Sequence, residues 1–315
     1  MAVDGLRGDV VRASTRPIEV IGQRGPVEVA VGPLVIAEDP WPVRRYTVAH
    51  ALACDERLVD AVQVLSTREE FRELLKHDDL IDLIIPRGSN QLVRSIMEST
   101  RIPVLGHAAG ICHTYVDKDA DLDMAMKVCY DAKVQYPAVC NAMETLLVHR
   151  DVASKFLPRM AAAYQGAKVE LRGDDEVRAI ITAEPATEED WGAEYNDLVL
   201  SLKVVGSLDE AIEHINRYSS HHTDAIITSD ETSANRFMDL VDSSSVMWNA
   251  STRFADGYRY GLGAEVGIST NKTHARGPVG LEGLVIYKYK LRGSGQTVAE
   301  YVGKDGRRFT HRRIA

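Results

Sequence analysis

One cysteine of this sequence occupies a position where a thiol could act as a nucleophile. Cys140 follows a proline-containing loop at 136–139 and precedes a short turn into the apolar run 145–148. A thiol at the start of a helical turn meets unpaired backbone N–H groups and the helix dipole, which lower its pKa and favour the thiolate. This position therefore allows Cys140 to be a nucleophile, but for a lone cysteine with no further signal a small core residue is the favoured interpretation.

The other cysteines fit structural roles better. Cys129 lies on the apolar face of a predicted helix, Cys112 lies inside a predicted strand, and Cys54 lies in sequence without a pattern. Four cysteines at irregular spacings do not match a disulfide framework or a zinc site. We expect reduced thiols and no metal.

Two loops carry groups that suit anionic ligands. Gly88 and Ser89 connect an apolar segment to a predicted helix, whose N-terminus would offer N–H groups to a phosphate. Without a longer glycine motif, a plain strand-to-helix connection explains this loop equally well. In the second loop, Arg253 and the more distant Arg276 could bind a carboxylate or phosphate in bidentate fashion, or could be ordinary surface arginines.

Alternating strands and helices must position these loops. Apolar runs predict strands at 61–65, 83–85, 102–105, 111–116, 145–148, 168–171, 198–205, 225–228, 245–249 and 284–290. Amphipathic patterns predict helices at 68–76, 119–134, 152–164, 209–218 and 232–240, with another through Leu92 and Ile96. Thr67 and Glu70 form a capping-box pattern before the first of these helices. This order predicts an α/β fold with parallel strands.

Composition excludes several classes of protein. The 315 residues suffice for two domains, and 45% apolar with 26% charged residues is ordinary for a soluble protein. The net charge of -9 argues against nucleic-acid binding. No run approaches the roughly 18 apolar residues of a membrane helix, and no secretory signal is recognisable. We expect a cytoplasmic protein whose basic C-terminal residues (Arg307, Arg308, Arg312 and Arg313) form a solvated tail.

Together these segments resemble the γ-glutamyl phosphate reductases, a branch of the aldehyde dehydrogenase superfamily that also forms the C-terminal half of bifunctional pyrroline-5-carboxylate synthase. The sharpest match is a pattern between Val205 and Ile226, with fixed residues Ala211, Ile212, His214, Ile215, Tyr218, Ser219, His222, Thr223 and Asp224. The segments 84–88, 110–113, 140–147, 249–254 and 274–281 agree as well. The resemblance covers residues 59–301.

The resemblance implies an aldehyde-dehydrogenase-like α/β fold, with parallel-sheet cofactor and catalytic domains plus an oligomerisation flap. On that basis we assign residues 1–58 to an atypical N-terminal segment and 59–118 to the remaining part of the cofactor-binding domain. Residues 119–282 form the catalytic domain, and 283–315 hold a return strand, the oligomerisation segment and the basic tail. A homo-oligomer is expected, and glutamate 5-kinase is a candidate partner.

The implied reaction is NADPH-dependent reduction of γ-glutamyl phosphate to glutamate 5-semialdehyde in proline biosynthesis. Cys140 matches the family nucleophile, which forms a thioester. Glu194 matches a glutamate that binds the nicotinamide ribose, and Gly88 and Ser89 lie where a loop approaches the pyrophosphate. By position, Asn249, Ser251, Thr252 and Arg253 are expected to bind the substrate carboxylate. Hydrolytic relatives place a glutamate before Leu-Gly-Gly, whereas the matching stretch 103–107 has no carboxylate.

The N-terminal segment departs from the family. Members carry a long N-terminal portion that supplies half of the cofactor domain and an oxyanion-hole asparagine, and neither is recognisable in residues 1–58. We interpret this segment as a truncated or misread N-terminus rather than a replacement domain. Two alternative functions follow, namely a catalytically impaired fragment or binding subunit of the reductase, and a different aldehyde dehydrogenase.

Overall fold

The computed structural model describes residues 18–22, 25–29, 34–37, 62–65, 67–107 and 109–309. Most of the predicted N-terminal segment 1–58, Cys54, Arg312 and Arg313 lie outside the described residues. Within the described part, no helix has the length and apolar character to cross a membrane.

Thirteen strands are present among the described residues. They are β1 (Ile18–Gly22), β2 (Gly25–Val29), β3 (Leu34–Ala37), β4 (Val62–Leu65), β5 (Cys112–Val116), β6 (Met143–His149), β7 (Glu170–Gly173), β8 (Glu184–Pro185), β9 (Val199–Val205), β10 (Thr223–Ile227), β11 (Ser245–Trp248), β12 (Gly267–Ser269) and β13 (Gly277–Val279). β3 and β4 pair in parallel, whereas β1 with β2 and β12 with β13 are antiparallel pairs.

Seven α-helices connect the strands in the described ranges. They are α1 (Arg68–Leu74), α2 (Asn90–Ser99), α3 (Leu122–Val134), α4 (Arg150–Gly166), α5 (Asp175–Arg178), α6 (Leu208–Tyr218) and α7 (Glu231–Leu240). The predicted capping box begins α1, since Thr67 accepts from Glu70 N and Glu70 accepts from Thr67 N. Ser89 caps α2 by accepting from Leu92 N. Side-chain caps of this kind satisfy N–H groups that the helix leaves unpaired.

A seven-stranded parallel sheet forms the centre of the molecule. Its strand order is β11-β10-β5-β6-β9-β7-β8, which confirms the predicted parallel α/β fold. Because successive residues of a strand face opposite sides, Leu146 and Val148 of β6 pack in the core that contains α3 and α4. Leu147 faces the other side, where α6 and α7 pack. Helices on both faces explain why the central strands β5, β6 and β10 are buried along their whole length.

Three strand predictions are corrected by the structure. The runs 83–85 and 102–105 make only an isolated parallel bridge between Ile84 and Val104. Pro86 and Pro103 flank these residues, and proline cannot donate to a strand ladder. The strand predicted at 168–171 begins later, at Glu170, because Lys168 turns with a φ of 61°.

The strand predicted at 284–290 is absent among the described residues. A 3₁₀ helix ends at Leu284, and residues 285–290 have no strand pairing. Residues 285–315 form a compact unit separate from residues 1–284. Apolar side chains of this segment, such as Tyr287 and Tyr289, are almost fully exposed. A segment forms a strand only where a neighbouring strand pairs with it. The apolar pattern of residues 284–290 does not show whether such a neighbour is present.

Candidate active site

Four neighbouring strands bring chemically active residues to one edge of the sheet. His222 precedes β10, Gly110 precedes β5, Cys140 precedes β6, and Glu194 precedes β9. These strands are adjacent and parallel in the order β10-β5-β6-β9. The loops before them therefore meet at the amino ends of the strands. In open α/β sheets, ligands more often bind at the carboxyl ends.

The backbone around Cys140 is fixed by close contacts. A Cβ atom placed on Gly110 would lie 2.2 Å from the carbonyl oxygen of Cys140, so only glycine allows this approach. The thiol of Cys112 donates to the same carbonyl at 3.3 Å. On the other side, Asn141 Nδ2 donates to Ala255 O at 2.9 Å. The thiol thus stands on a backbone clamped from two directions.

The prediction of a lowered thiol pKa at Cys140 is wrong for this arrangement. Burial, followed by the negative charges of Glu194 and Glu265, raises the pKa of Cys140 to about 11. Residues 137–141 form turns rather than a helix start, so no helix dipole faces the thiol. Cys140 therefore rests as a neutral thiol and needs a base before it can attack.

Glu194 links the predicted cofactor loop to the surroundings of Cys140. Its Oε1 accepts from Gly110 N at 2.7 Å, and its Oε2 accepts from Asn90 Nδ2 at 2.6 Å. Asn90 is the first residue of α2 and follows Ser89. Each carboxylate oxygen has two lone pairs and can accept a further hydroxyl. The structure thus brings together Ser89, Glu194 and Cys140.

The cofactor loop has the geometry of a strand-to-helix turn. Gly88 has a φ of 148°, and a Cβ there would approach Leu92 Cδ2 at 2.8 Å, so glycine is required on both counts. The side chain of Ser89 accepts from Leu92 N at 3.3 Å, which leaves its hydroxyl hydrogen for a ligand. This loop is exposed and fits a phosphate group at the start of α2.

Two imidazoles lie beside the thiol. His107, Cys140 and His222 each offer a donor atom within 4.8 Å of the others. The His107 and His222 rings meet edge to face, with centroids 5.1 Å apart. Burial, aided by His107, lowers the pKa of His222 to about 3, so this ring stays neutral. Three donors are one short of the four ligands that a structural zinc site uses.

The predicted substrate loop is divided between two places. Asn249 follows β11 at the carboxyl edge, where its side chain binds both backbone groups of Thr228. Ser251, Thr252 and Arg253 are buried, and Arg253 is near enough to Cys140 for an electrostatic interaction. Arg253 Nε donates to Gln135 Oε1 at 3.0 Å. The structure therefore brings 251–253 to the nucleophile loop, and it places Asn249 at the opposite edge of the sheet.

Thr252 has the free polar atom of this loop. Its Oγ1 is buried without a hydrogen-bond partner in the described structure. Arg276, the second arginine considered for anion binding, donates instead to Asp242 Oδ1 and Asp242 O, both at 3.0 Å. The guanidinium of Arg276 is therefore already bound by Asp242. This answers the question of its partner, which the sequence alone left open.

A buried ion pair joins α3 to β6, the strand that follows Cys140. Lys133, near the end of α3, donates to Glu144 Oε2 at 2.6 Å, and both side chains are fully buried. Glu144 Oε1 also accepts from Asn196 N at 3.2 Å. Glu144 lies in β6, and Asn196 is two residues from Glu194 in the sequence. The Glu144 carboxylate therefore connects β6 to the loop that carries Glu194.

Sequence reasoning missed His107, Gly110, His222 and Glu265 as site residues. Gly110 and His222 lie in the segments that match the family, but the match alone assigned no role to either residue. His107 was noted only for the lack of a carboxylate, whereas its imidazole lies beside the thiol. Glu265 N-terminal to β12 acts on Cys140 by its charge and accepts from Gly257 N at 2.8 Å.

Comparison with known proteins agrees with this architecture. The sequence model of the aldehyde dehydrogenase family matches residues 46–189. The γ-glutamyl phosphate reductase of Methanosarcina barkeri is 61% identical over 260 residues, which cover 81% of this chain and 58% of that protein. The chain thus resembles the aldehyde dehydrogenase family over residues 46–189. The resemblance to the γ-glutamyl phosphate reductases is thereby confirmed.

Further relatives in this aldehyde dehydrogenase group support the same grouping. The γ-glutamyl phosphate reductase of Pelotomaculum thermopropionicum is 62% identical over 255 residues, covering 81% of this chain and 58% of that protein. The crystal structure of γ-glutamyl phosphate reductase from Thermotoga maritima superposes with a TM-score of 0.77 at 41% identity. It covers 80% of this chain and 62% of its own. The chain thus spans less than two thirds of the length of these relatives.

Proposed function

We propose that this chain reduces γ-glutamyl phosphate to glutamate 5-semialdehyde and phosphate, with NADPH as reductant and Cys140 as nucleophile. The observation that carries the proposal is the convergence of Cys140, Glu194 and the start of α2 at one edge of the sheet. We further propose that the reaction is a cytoplasmic step of proline biosynthesis, with substrate supplied by glutamate 5-kinase.

The chemistry begins at the thiol. Cys140 attacks the acyl carbon, the bond to the phosphate oxygen breaks, and a thioester forms. The buried segment 251–253 supports substrate binding, because Thr252 Oγ1 is a buried group without a partner. Arg253 adds positive charge near the thiol. Both groups suit the carboxylate of an anionic amino-acid substrate.

The two carboxylates described near the thiol are already engaged in hydrogen bonds that position the site. Glu194 uses both oxygens to accept N–H groups, and Glu265 accepts from Gly257 N. The stretch 103–107, where hydrolytic relatives carry the base, has none. This arrangement favours a thioester that meets phosphate or hydride over one that is hydrolysed.

The residues present fit a dinucleotide. Gly88 and Ser89 suit the pyrophosphate at the start of α2, and Glu194 has lone pairs for the hydroxyls of a ribose. When bound, NADPH supplies the hydride that reduces the thioester to the aldehyde level. The choice of NADPH over NADH is part of the proposal.

The test is the reverse reaction in the purified chain. Glutamate 5-semialdehyde, NADP and inorganic phosphate are mixed, and formation of NADPH is followed by absorbance, beside a Cys140→Ala variant. We expect reduction of NADP that requires phosphate and is lost in Cys140→Ala. The wild-type chain and the Cys140→Ala variant are both checked for folding by circular dichroism.

Other outcomes identify the alternatives. Reduction of NADP at the same rate without phosphate would mark an enzyme that oxidises a free aldehyde, and would overturn the reductase. A folded chain with no activity under any of these conditions would leave a binding subunit or catalytic-domain fragment.

A further inference from the structure

The imidazole of His107 is oriented by a backbone carbonyl. His107 Nδ1 lies 3.0 Å from Ile268 O, in β12. A carbonyl oxygen can only accept, so Nδ1 carries the ring proton and Nε2 keeps a free lone pair. One ring nitrogen of His107 lies within 4.8 Å of Cys140 Sγ, so rotation of the two side chains or one bridging water can bring the thiol proton to the imidazole.

Among the described residues, six other groups face the thiol and are weaker candidates to take its proton. The groups that face Cys140 are Glu194, Glu265, Arg87, Arg253, Cys112 and His222. The two carboxylates already accept N–H groups, and the two arginines have no acceptor. The thiol of Cys112 is buried and donates to Cys140 O.

His222 is the remaining alternative. Its Nδ1 lies 2.8 Å from Thr223 Oγ1, and its Nε2 is buried without a partner. A proton on this ring would be a charge in a fully buried site, beside the edge of His107. His107 is only partly buried, so water can reach its ring.

From this geometry we propose that His107 is a catalytic residue that takes the proton of the Cys140 thiol and passes it to the departing phosphate. The proposal rests on the proposed function for the second half of this transfer. As Sγ bonds to the acyl carbon, its proton moves to His107 Nε2. As the carbon–oxygen bond to phosphate breaks, the proton moves from Nε2 to a phosphate oxygen. Hydrogen phosphate leaves, and no net proton is released.

The first half of the transfer can be tested without substrate or cofactor. Alkylation of Cys140 by iodoacetamide is measured between about pH 6 and pH 10, with the modified peptide quantified by mass spectrometry. A His107→Gln variant keeps an amide that can donate to Ile268 O but cannot take the thiol proton. His77→Gln, a partly exposed histidine on the loop after α1, is the matched control.

We expect His107→Gln to alkylate roughly tenfold or more slowly than the wild type near pH 7. The two rates should converge at high pH, where hydroxide removes the thiol proton, and His77→Gln should follow the wild type. Superimposed profiles of His107→Gln and wild type would overturn the proposal.

A second variant separates proton transfer from a structural role. His107→Ala leaves space beside the thiol, so added imidazole should restore much of its alkylation rate. If His107→Gln is slow but imidazole restores nothing to His107→Ala, His107 only positions the loop and the proposal fails. These readouts stand even if the chain shows no reductase activity, so failure of the proposed function is distinguishable from failure of this one.

Discussion

At Cys140, two carboxylates oppose the ionisation that nucleophilic attack requires. Burial has the largest effect on its pKa, and the charge of Glu194 acts more strongly than that of Glu265. Glu194 cannot be dispensed with, because it accepts hydrogen bonds from both Gly110 and Asn90. Glu194 therefore organises the site and also disfavours ionisation of the Cys140 thiol. A proton acceptor beside the thiol offsets this effect.

Replacing Glu194 by glutamine should accelerate alkylation of Cys140. The amide oxygen can still accept from Gly110 N, whereas the negative charge that adds to the effect of burial in raising the pKa of Cys140 is gone. The thiolate fraction falls tenfold for each pH unit below the pKa, so we expect roughly three- to tenfold faster reaction with iodoacetamide at pH 8. Glu265→Gln is the matched variant and should give a smaller increase. Equal rates in wild type and Glu194→Gln would show that this charge does not reach the thiol.

At the scale of elements, the approach of the β5 loop to the β6 loop depends on Gly110. A Cβ at this position would lie within 2.5 Å of Cys140 backbone and Cβ atoms, which cannot move without displacing the thiol. We expect Gly110→Ala to destabilise the fold by about 1–3 kcal/mol, the usual range for overpacking. We also expect it to abolish the pH-dependent reactivity of Cys140.

The matched control for this substitution is Gly166→Ala. Gly166 ends α4, and a Cβ there meets nothing within 4 Å. Alanine at this position should leave thiol reactivity unchanged and stabilise the chain by about 0.4–1 kcal/mol. Urea unfolding measures both variants, and equal stability of Gly110→Ala and wild type would contradict the steric argument.

The buried pair of α3 and β6 gives a prediction that depends on pH. Lys133→Met removes the partner of Glu144 and should cost about 3–5 kcal/mol of stability. Burial already raises the pKa of Glu144 to about 7 against the opposing effect of Lys133, so losing the ammonium raises it further. A carboxyl with a raised pKa binds its proton more tightly in the folded state, so stability falls as pH rises above the unfolded value near 4.5.

The loss in Lys133→Met should therefore be larger near pH 8 than near pH 5. Adding Glu144→Gln to this variant should recover most of the stability, because the amide is neutral and still accepts from Asn196 N. Urea unfolding at the two pH values measures this. A double variant as unstable as Lys133→Met at pH 8 would refute the charge argument.

Many helices and strands of this chain can be predicted from local sequence signals. The remaining features depend on long-range contacts that local signals do not show. The caps at Thr67 and Ser89 are read from neighbouring residues, and both are present. The raised pKa of Cys140 depends on Glu194 and Glu265, which approach it only in the folded sheet. The family resemblance marked Glu194 and Cys140, whereas no pattern indicated that His107 lies beside the thiol. Residue spacing along the chain carries no information about such a contact.

At the scale of the whole molecule, the central sheet crosses the predicted domain boundary at 118/119. β5 precedes that boundary, and it pairs with β6 and β10, which follow it. The site draws its residues from both sides as well, since Gly110 precedes the boundary and Cys140 follows it. The nucleophile and its closest partners thus belong to one continuous sheet, so the proposed chemistry at the thiol does not depend on a hinge between these segments.

The unit formed by residues 285–315 has an exposed apolar run that a second copy of the chain would cover. Tyr287, Tyr289 and Leu291 are each more than nine-tenths exposed, and alternate residues of an extended segment share one face. Lys288 and Lys290 alternate with these apolar residues along the sequence. Such a stripe is typical of a segment that pairs with another strand, since an uncovered one favours aggregation.

We therefore expect the chain to form a dimer or a higher oligomer, measured by size-exclusion chromatography with light scattering. Glutamate at both Tyr287 and Tyr289 should convert it to a monomer, because charged side chains cannot be buried against a partner without a large desolvation penalty. Leu80→Glu, at a half-exposed apolar residue before the bridge at Ile84, is the control and should leave the mass unchanged. A wild-type monomer at the concentrations used for assays would refute the pairing. Since the described groups around Cys140 lie within residues 87–268, outside the unit 285–315, the monomeric variant should retain the alkylation profile of the wild type.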